Sequence, residues 1–208
     1  MVIGITGGSG SGKTTVVNML LNNTNTYVIE ADEVFYDLLK KDSFNKKIKE
    51  LLPEEMREKL DYLTIENFVQ QSEETYRKYH EIIRKKIEDN IIKNIRNHEN
   101  DFKIIVDTFL LERNRIKEEC DYIISVITPE WQRIQRLMNR DKIEIVDAVN
   151  RVNIQKPLDF YVENSDYTLS NSMDGFEDLE ENIVRTLEML LMDDELKNNK
   201  EINQDLSE

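Results

Sequence analysis

The sequence predicts an α/β fold: a mostly parallel five-stranded sheet layered between helices, with one helical insertion and a short lid. Three observations carry this. Short apolar runs with β-branched residues stand at Val2–Thr6, Tyr27–Ile29, Phe102–Val106, Tyr122–Thr128 and Tyr167–Leu169, as buried strands do. The first run passes through a glycine-rich loop straight into a helical pattern. From Val34 to Asn97 the apolar spacing is helical throughout, so helices interrupt the sheet between its second and third strands.

The loop is the most specific signal. Gly7-Gly8-Ser9-Gly10-Ser11-Gly12-Lys13-Thr14 fits G-x-x-x-x-G-K-[ST], the phosphate-binding loop, and it has the required strand before it and helix (Thr14–Leu21) after it. Such a loop turns successive backbone N–H groups around an anion, and the following helix adds its positive end. The expected fold is therefore a P-loop NTPase-type three-layer sandwich that binds a nucleoside triphosphate. Gly8, Ser9, Gly10, Ser11, Gly12, Lys13, Thr14 and Thr15 are the candidate nucleotide contacts. Lys13 brings a charge to the β- and γ-phosphates, and the Thr14 hydroxyl suits a magnesium ion riding on the nucleotide.

The second strand ends at Glu30-Ala31-Asp32-Glu33. Ligands in open parallel sheets bind beyond the carboxyl ends of strands, which makes Asp32 a catalytic candidate. It is equally readable as the cap of the next helix, and the two roles are compatible. The insertion then reads as helices with apolar faces at Val34, Leu38 and Leu39, and at Phe44, Ile48, Leu51 and Leu52. Pro53 opens a short charged helix, and Ser72 opens a long helix with Tyr76, Tyr79, Ile83, Ile87, Ile91 and Ile95 on its core side. Residues 33–100 form the natural acceptor-binding subdomain. His80 lies on the long helix, as a surface or packed residue or as an acceptor contact.

Asp107 follows the third strand, where an acidic residue in phosphate-loop enzymes often holds magnesium; the alternative is a helix cap. After the fourth strand, Pro129 opens a helix with Trp131, Ile134 and Leu137 on one face and Arg133, Arg136 and Arg140 on the other. Arg136 and Arg140 share a side. Such a cluster reads as a phosphate clamp, or as partners for Asp141, Glu144 and Asp147. A further helix spans Ile143 to Val152, with Arg151 near its end. Ser170-Asn171-Ser172 makes the turn after the last strand, where a nucleotide base could rest. Phe176 to Met192 closes the domain as an amphipathic helix, and the polar stretch 193–208 is expected to be a disordered acidic tail.

The whole chain has 208 residues with a formal net charge of −14, from 42 acidic and 28 basic residues, which disfavours a nucleic-acid partner. One cysteine, Cys120, excludes an internal disulfide and a cysteine-based zinc site. No apolar run approaches bilayer length and the first strand begins at Val2, so neither a membrane partner nor a leader is expected, and the location expected is cytoplasmic. No guanine-reading N-K-x-D occurs, since Asn45-Lys46-Lys47-Ile48 lacks the Asp.

Over residues 1–192 the chain resembles the dephospho-coenzyme A kinase family, phosphate-loop kinases that use ATP. Ile5-Thr6-Gly7-Gly8-Ser9-Gly10-Ser11-Gly12-Lys13-Thr14-Thr15 resembles its T-G-G-x-G-S-G-K-S-T, and Val28-Ile29-Glu30-Ala31-Asp32 its V-I-D-A-D. Arg136-Leu137-Met138-Asn139-Arg140-Asp141 resembles its R-L-x-x-R-D, followed by Arg151 and Gln155. Asp166 to Asn171 is similar to the strand that leads to its adenine-contacting turn.

Departures lie on the acceptor side. The family's His-Pro is His80-Glu81, its D-x-P-L-L-F-E is Asp107-Thr108-Phe109-Leu110-Leu111-Glu112-Arg113, and its Arg before the long helix has no counterpart in Leu63-Thr64-Ile65-Glu66. The resemblance implies one kinase domain over 1–192 with a lid at 139–157. ATP and Mg2+ are the implied cofactors, Asp32 the general base, and Lys13, Arg136 and Arg140 the charges on the transferred phosphoryl group. Thr14 and Asp107 would attend the metal, Asn171 the adenine and His80 the acceptor. The reaction implied is phosphorylation of the ribose 3′-hydroxyl of dephospho-coenzyme A, a small-molecule acceptor. A kinase of another small acceptor and a non-catalytic nucleotide-binding protein are the alternatives.

Overall fold

Five strands form in the order of the apolar runs: β1 (Val2–Thr6), β2 (Thr26–Glu30), β3 (Phe102–Val106), β4 (Tyr122–Ile127) and β5 (Tyr167–Ser170). They make a five-stranded sheet in the order β2-β3-β1-β4-β5. The structure, a computed structural model, describes residues 1–21, 26–58, 60, 65, 68–69, 73–79, 83–98, 102–153, 155–172 and 179–205. Each strand lies within one residue of its apolar run at either end, because a short β-branched run can bury both faces only inside a sheet.

The chain divides into two compact units. One holds residues 1–6 and 25–121, the other residues 7–24 and 122–208. The phosphate loop thus goes with the C-terminal half. The reason is visible in its bonds, which run to Thr128, Arg133, Arg136, Gln155 and Asn171.

In the first unit β3 lies between β1 and β2, parallel to both, with Gly4 opposite Ile105 and Val28 opposite Ile104. The helical stretch lies in the same unit as these three strands. Helix α2 (Ala31–Leu39) packs on β2, on α3 (Asp42–Leu51) and on α5 (Lys85–Asn97). The core holds Phe35, Leu38, Phe44, Ile48, Ile87 and Ile91; on α2 the buried side is Phe35 and Leu38, while Val34 and Leu39 of the expected face are half-buried. The long helix expected from Ser72 is described in two pieces, α4 (Glu73–Tyr79) and α5. Two short elements were not foreseen, a 3-10 turn at Leu110–Glu112 and α6 (Asn114–Lys117). Their apolar positions are too few to show a period.

In the second unit β4 and β5 pair in parallel, with Val126 opposite Leu169. Helix α1 (Lys13–Leu21) follows the loop, and α7 (Glu130–Asp141) follows Pro129, which caps it from outside rather than starting it. Helix α8 (Ile145–Asn153) packs Ala148 and Val152 against Leu137 of α7. Helix α9 (Leu158–Glu163) was not foreseen. The closing helix, α10, spans Leu179–Asp205, so the tail expected to be disordered continues as helix through Asp205. That stretch contains neither Gly nor Pro, and a helix satisfies its backbone internally without an apolar face. Among the described residues no helix is long and apolar enough to cross a membrane.

Candidate functional site

The phosphate loop is held by side chains of its own unit. Lys13 begins α1, and its Nζ donates back to the carbonyls of Gly7 (2.8 Å) and Gly8 (3.3 Å). Arg136, one turn before the end of α7, donates to Gly10 O and Ser11 O, both at 3.3 Å, and to Asn171 O at 2.9 Å. Thr128, after β4, donates to Ser11 O at 2.9 Å. Asn171, after β5, donates its side-chain amide to the same carbonyl at 2.8 Å. The residue expected at the nucleotide base thus also braces the loop. Gly12 is obligatory for this: its φ is +95°, and a Cβ there would lie 1.9 Å from Asn171 Nδ2. Thr14 and Thr15, the next candidates, are exposed.

The arginine row divides in a way that the sequence does not announce. Arg133 is buried, donating Nε to Ser9 O (2.9 Å) and a terminal nitrogen to Gln155 Oε1 (2.5 Å). Arg136 is half-buried, and Arg140 is exposed and bidentate to Asp141 (2.7 and 2.9 Å). Asp141 also accepts from Arg151 at 2.6 Å, and the Arg140 bonds first, then the charges of both arginines, hold its carboxyl below the usual carboxylate range. The ion-pair alternative thus holds for Arg140 in this conformation. Burial pushes the guanidinium of Arg133 below its ordinary value, and likewise that of Arg136. Among the described residues neither has a carboxylate within ion-pair distance; the partners are carbonyls, a hydroxyl and an amide. Arg133 entered the sequence reading only as one of three arginines in a clamp and Gln155 only through the family resemblance, because no period distinguishes the arginine that turns inward.

In the first unit Asp32 lies in the first turn of α2, exposed, directly after β2. The N-cap is Glu30, with no side-chain cap bond, so Asp32 is not the cap of α2. Asp107 is wholly buried: Oδ1 accepts the Phe109 N–H at 2.8 Å, and Oδ2 lies 2.5 Å from Arg113 Nε. The Arg113 side chain is fully buried and also lies 4.0 Å from Glu88, which meets Arg84 and Arg115 as well. Asp107 therefore turns the chain after β3 and anchors a buried charge network, which leaves it ill suited to a metal. His80 lies outside the described residues. Among the described residues no group of three or more acidic, histidine or cysteine side chains could hold a metal ion.

Asp107→Asn tests this placement. It keeps the acceptor for Phe109 but leaves Arg113 without its nearest charge, so a loss of about 3–5 kcal/mol in unfolding free energy is expected. Magnesium dependence of catalysis should stay as it was. Wild-type stability combined with a raised magnesium requirement would show that Asp107 attends the metal instead.

The comparisons with known proteins bear on the family and the fold. The sequence model of a family described as dephospho-CoA kinase matches residues 1–176. A dephospho-CoA kinase of Fusobacterium nucleatum is 28% identical over 193 residues, covering 91% of this chain and 98% of that protein. One from Staphylococcus epidermidis is 29% identical over 192 residues, covering 90% and 94%. Among solved structures, TT1252 from Thermus thermophilus superposes with a TM-score of 0.71 at 20% identity, covering 93% of this chain and 97% of that one.

Proposed function

The chain belongs to the dephospho-CoA kinase family, and from that premise we propose that it transfers the γ-phosphoryl group of ATP to the ribose 3′-hydroxyl of dephospho-coenzyme A, the last step of coenzyme A biosynthesis. The observation that carries the reading is the pair of guanidinium groups on the phosphate loop, Arg133 and Arg136, whose described partners are all neutral. Two cations so placed on one loop favour a highly charged anion, as a triphosphate is.

In this reading Lys13 leaves the carbonyls of Gly7 and Gly8 for the phosphates. Arg136 stiffens the loop and adds its charge to the site. Arg140 joins only after releasing Asp141, a motion suited to the lid. Asp32 accepts the proton of the acceptor hydroxyl or orients it. Catalysis is positioning and electrostatics, since phosphoryl transfer asks little covalent chemistry of the protein. A magnesium ion carried by the nucleotide fits the exposed hydroxyl of Thr14, and when bound it would offset phosphate charge. Asp107 does not fit that ion. The acceptor is a small molecule, and the reading places the chain in the cytoplasm with the ATP it uses.

The test is ADP release from ATP and magnesium by the purified protein, with and without dephospho-coenzyme A. Release that requires the acceptor is expected. ADP binding without acceptor-dependent release would overturn the acceptor and point to another small hydroxyl compound.

A further inference from the structure

Ser9 was expected to meet the nucleotide, but its three polar groups are engaged within the protein. Its N–H donates to Gln155 Oε1 at 2.8 Å, its Oγ accepts from Gln155 Nε2 at 2.8 Å, and its carbonyl accepts from Arg133 Nε at 2.9 Å. Gln155 and Arg133 are joined to each other at 2.5 Å, so the three residues close a ring of hydrogen bonds. Ser9 and Arg133 are both buried, where each of these bonds would be costly to leave unmade. The two side chains come from firm supports. Arg133 sits within α7, and the Gln155 N–H donates to Val152 O at the end of α8, beside the Ala148 and Val152 cluster.

We propose that Arg133 and Gln155 are positioning residues that clasp Ser9 and hold the phosphate loop in its binding conformation before the nucleotide arrives. The inference rests on the loop being the nucleotide site. Ser9 is then the loop's anchor and not a ligand of the phosphates, and the anion is left to the loop beyond it. A free glycine-rich loop would lose its conformational freedom at the moment of binding; a clasped one has lost it already, which favours affinity. The same clasp explains Gly8. A Cβ there would lie 2.2 Å from a terminal nitrogen of Arg133 and 2.4 Å from its Cζ, and the bonds to Ser9 and Gln155 keep that guanidinium from swinging away. The segment after α8 is thereby tied to the loop through a carboxamide, so a change in this part of the lid reaches the nucleotide through Ser9.

The experiment is calorimetric titration with ADP, which needs no acceptor, together with amide hydrogen exchange at Ser9. Gln155→Leu keeps the volume and removes the three polar contacts. Its ADP affinity is expected to fall on the order of tenfold, with faster exchange at Ser9. KM for ATP should rise in step, while kcat at saturating ATP falls by less. Gln155→Glu retains an acceptor for both Ser9 N–H and Arg133 and should recover most of the affinity. Arg133→Lys should not recover it, because one ammonium cannot span Ser9 O and Gln155 as the guanidinium does.

If Gln155→Leu does not fold, Ser9→Ala decides. It removes only the hydroxyl bond and should weaken ADP by a few-fold, roughly the worth of one hydrogen bond. Wild-type ADP affinity and wild-type Ser9 protection in Gln155→Leu, or in Ser9→Ala should that be the one that folds, would overturn the clasp. Failure of the acceptor reading would leave these binding results untouched, so the two can fall separately.

Discussion

Lys13→Ala is expected to reduce kcat/KM for ATP on the order of a thousandfold or more and to remove most nucleotide binding. Lys13 is the first residue of α1, where the strand–loop–helix turn fixes its backbone, and its Nζ already reaches the Gly7 and Gly8 carbonyls. An ammonium there is a compact charge with three movable donors, able to exchange carbonyl partners for phosphate oxygens. Removing one preorganised donor from developing negative charge typically costs about 10²–10³-fold, and removing a full positive charge costs more. The fold should survive: the buried Gly7 and Gly8 lose one shared donor to their carbonyls, so a loss of about 1–3 kcal/mol is expected in unfolding free energy. Steady-state ADP release, ADP titration and chemical denaturation check the three parts. Near-wild-type turnover in the variant would remove the loop from the chemistry.

Asp32→Ala should separate transfer from binding. A fall in kcat of about 10²–10⁴-fold is expected, the usual worth of a positioned proton acceptor, with ADP affinity within about twofold of wild type. The structure makes the comparison clean. Asp32 is exposed in the first turn of α2, where Glu30 takes the N-cap position. As a carboxylate near the positive end of the helix it contributes about 0.3–1 kcal/mol. Chemical denaturation of the variant separates a loss of turnover from a loss of fold. Glu33 is also exposed in that turn and supplies the control: Glu33→Gln makes the same kind of charge change and should keep its turnover. If Asp32→Ala turns over normally while Glu33→Gln does not, the base is one residue further along the helix.

Strand positions, the phosphate loop and the helical insertion were legible from the chain because each has a local cause. A β-branched run of five residues buries itself in a sheet wherever the sheet is, and glycines followed by Lys-Thr after a strand admit few conformations. The place of Asp32 directly after the second strand was legible for the same reason, since the end of a parallel strand is a definite place. The family was legible through the same donor-side motifs.

Roles shared between distant residues were not legible. Arg133, Arg136 and Arg140 are alike on a helical wheel, yet one clasps Ser9, one braces Gly10 and Ser11, and one stays outside with Asp141. Asp107 stands where a metal ligand is expected, and only the fold brings Arg113 onto it in the buried network with Glu88. Asn171 stands where a base contact is expected, and only the fold lays its amide on Ser11, 160 positions away. The sequence by itself determined the sheet, the loop and the chemistry the loop serves, because backbone propensity and local spacing act within a few residues. The tertiary structure alone decided which polar side chains are spent on holding the loop and which remain for the substrate, because a hydrogen bond depends on distance in space and leaves no period in the chain.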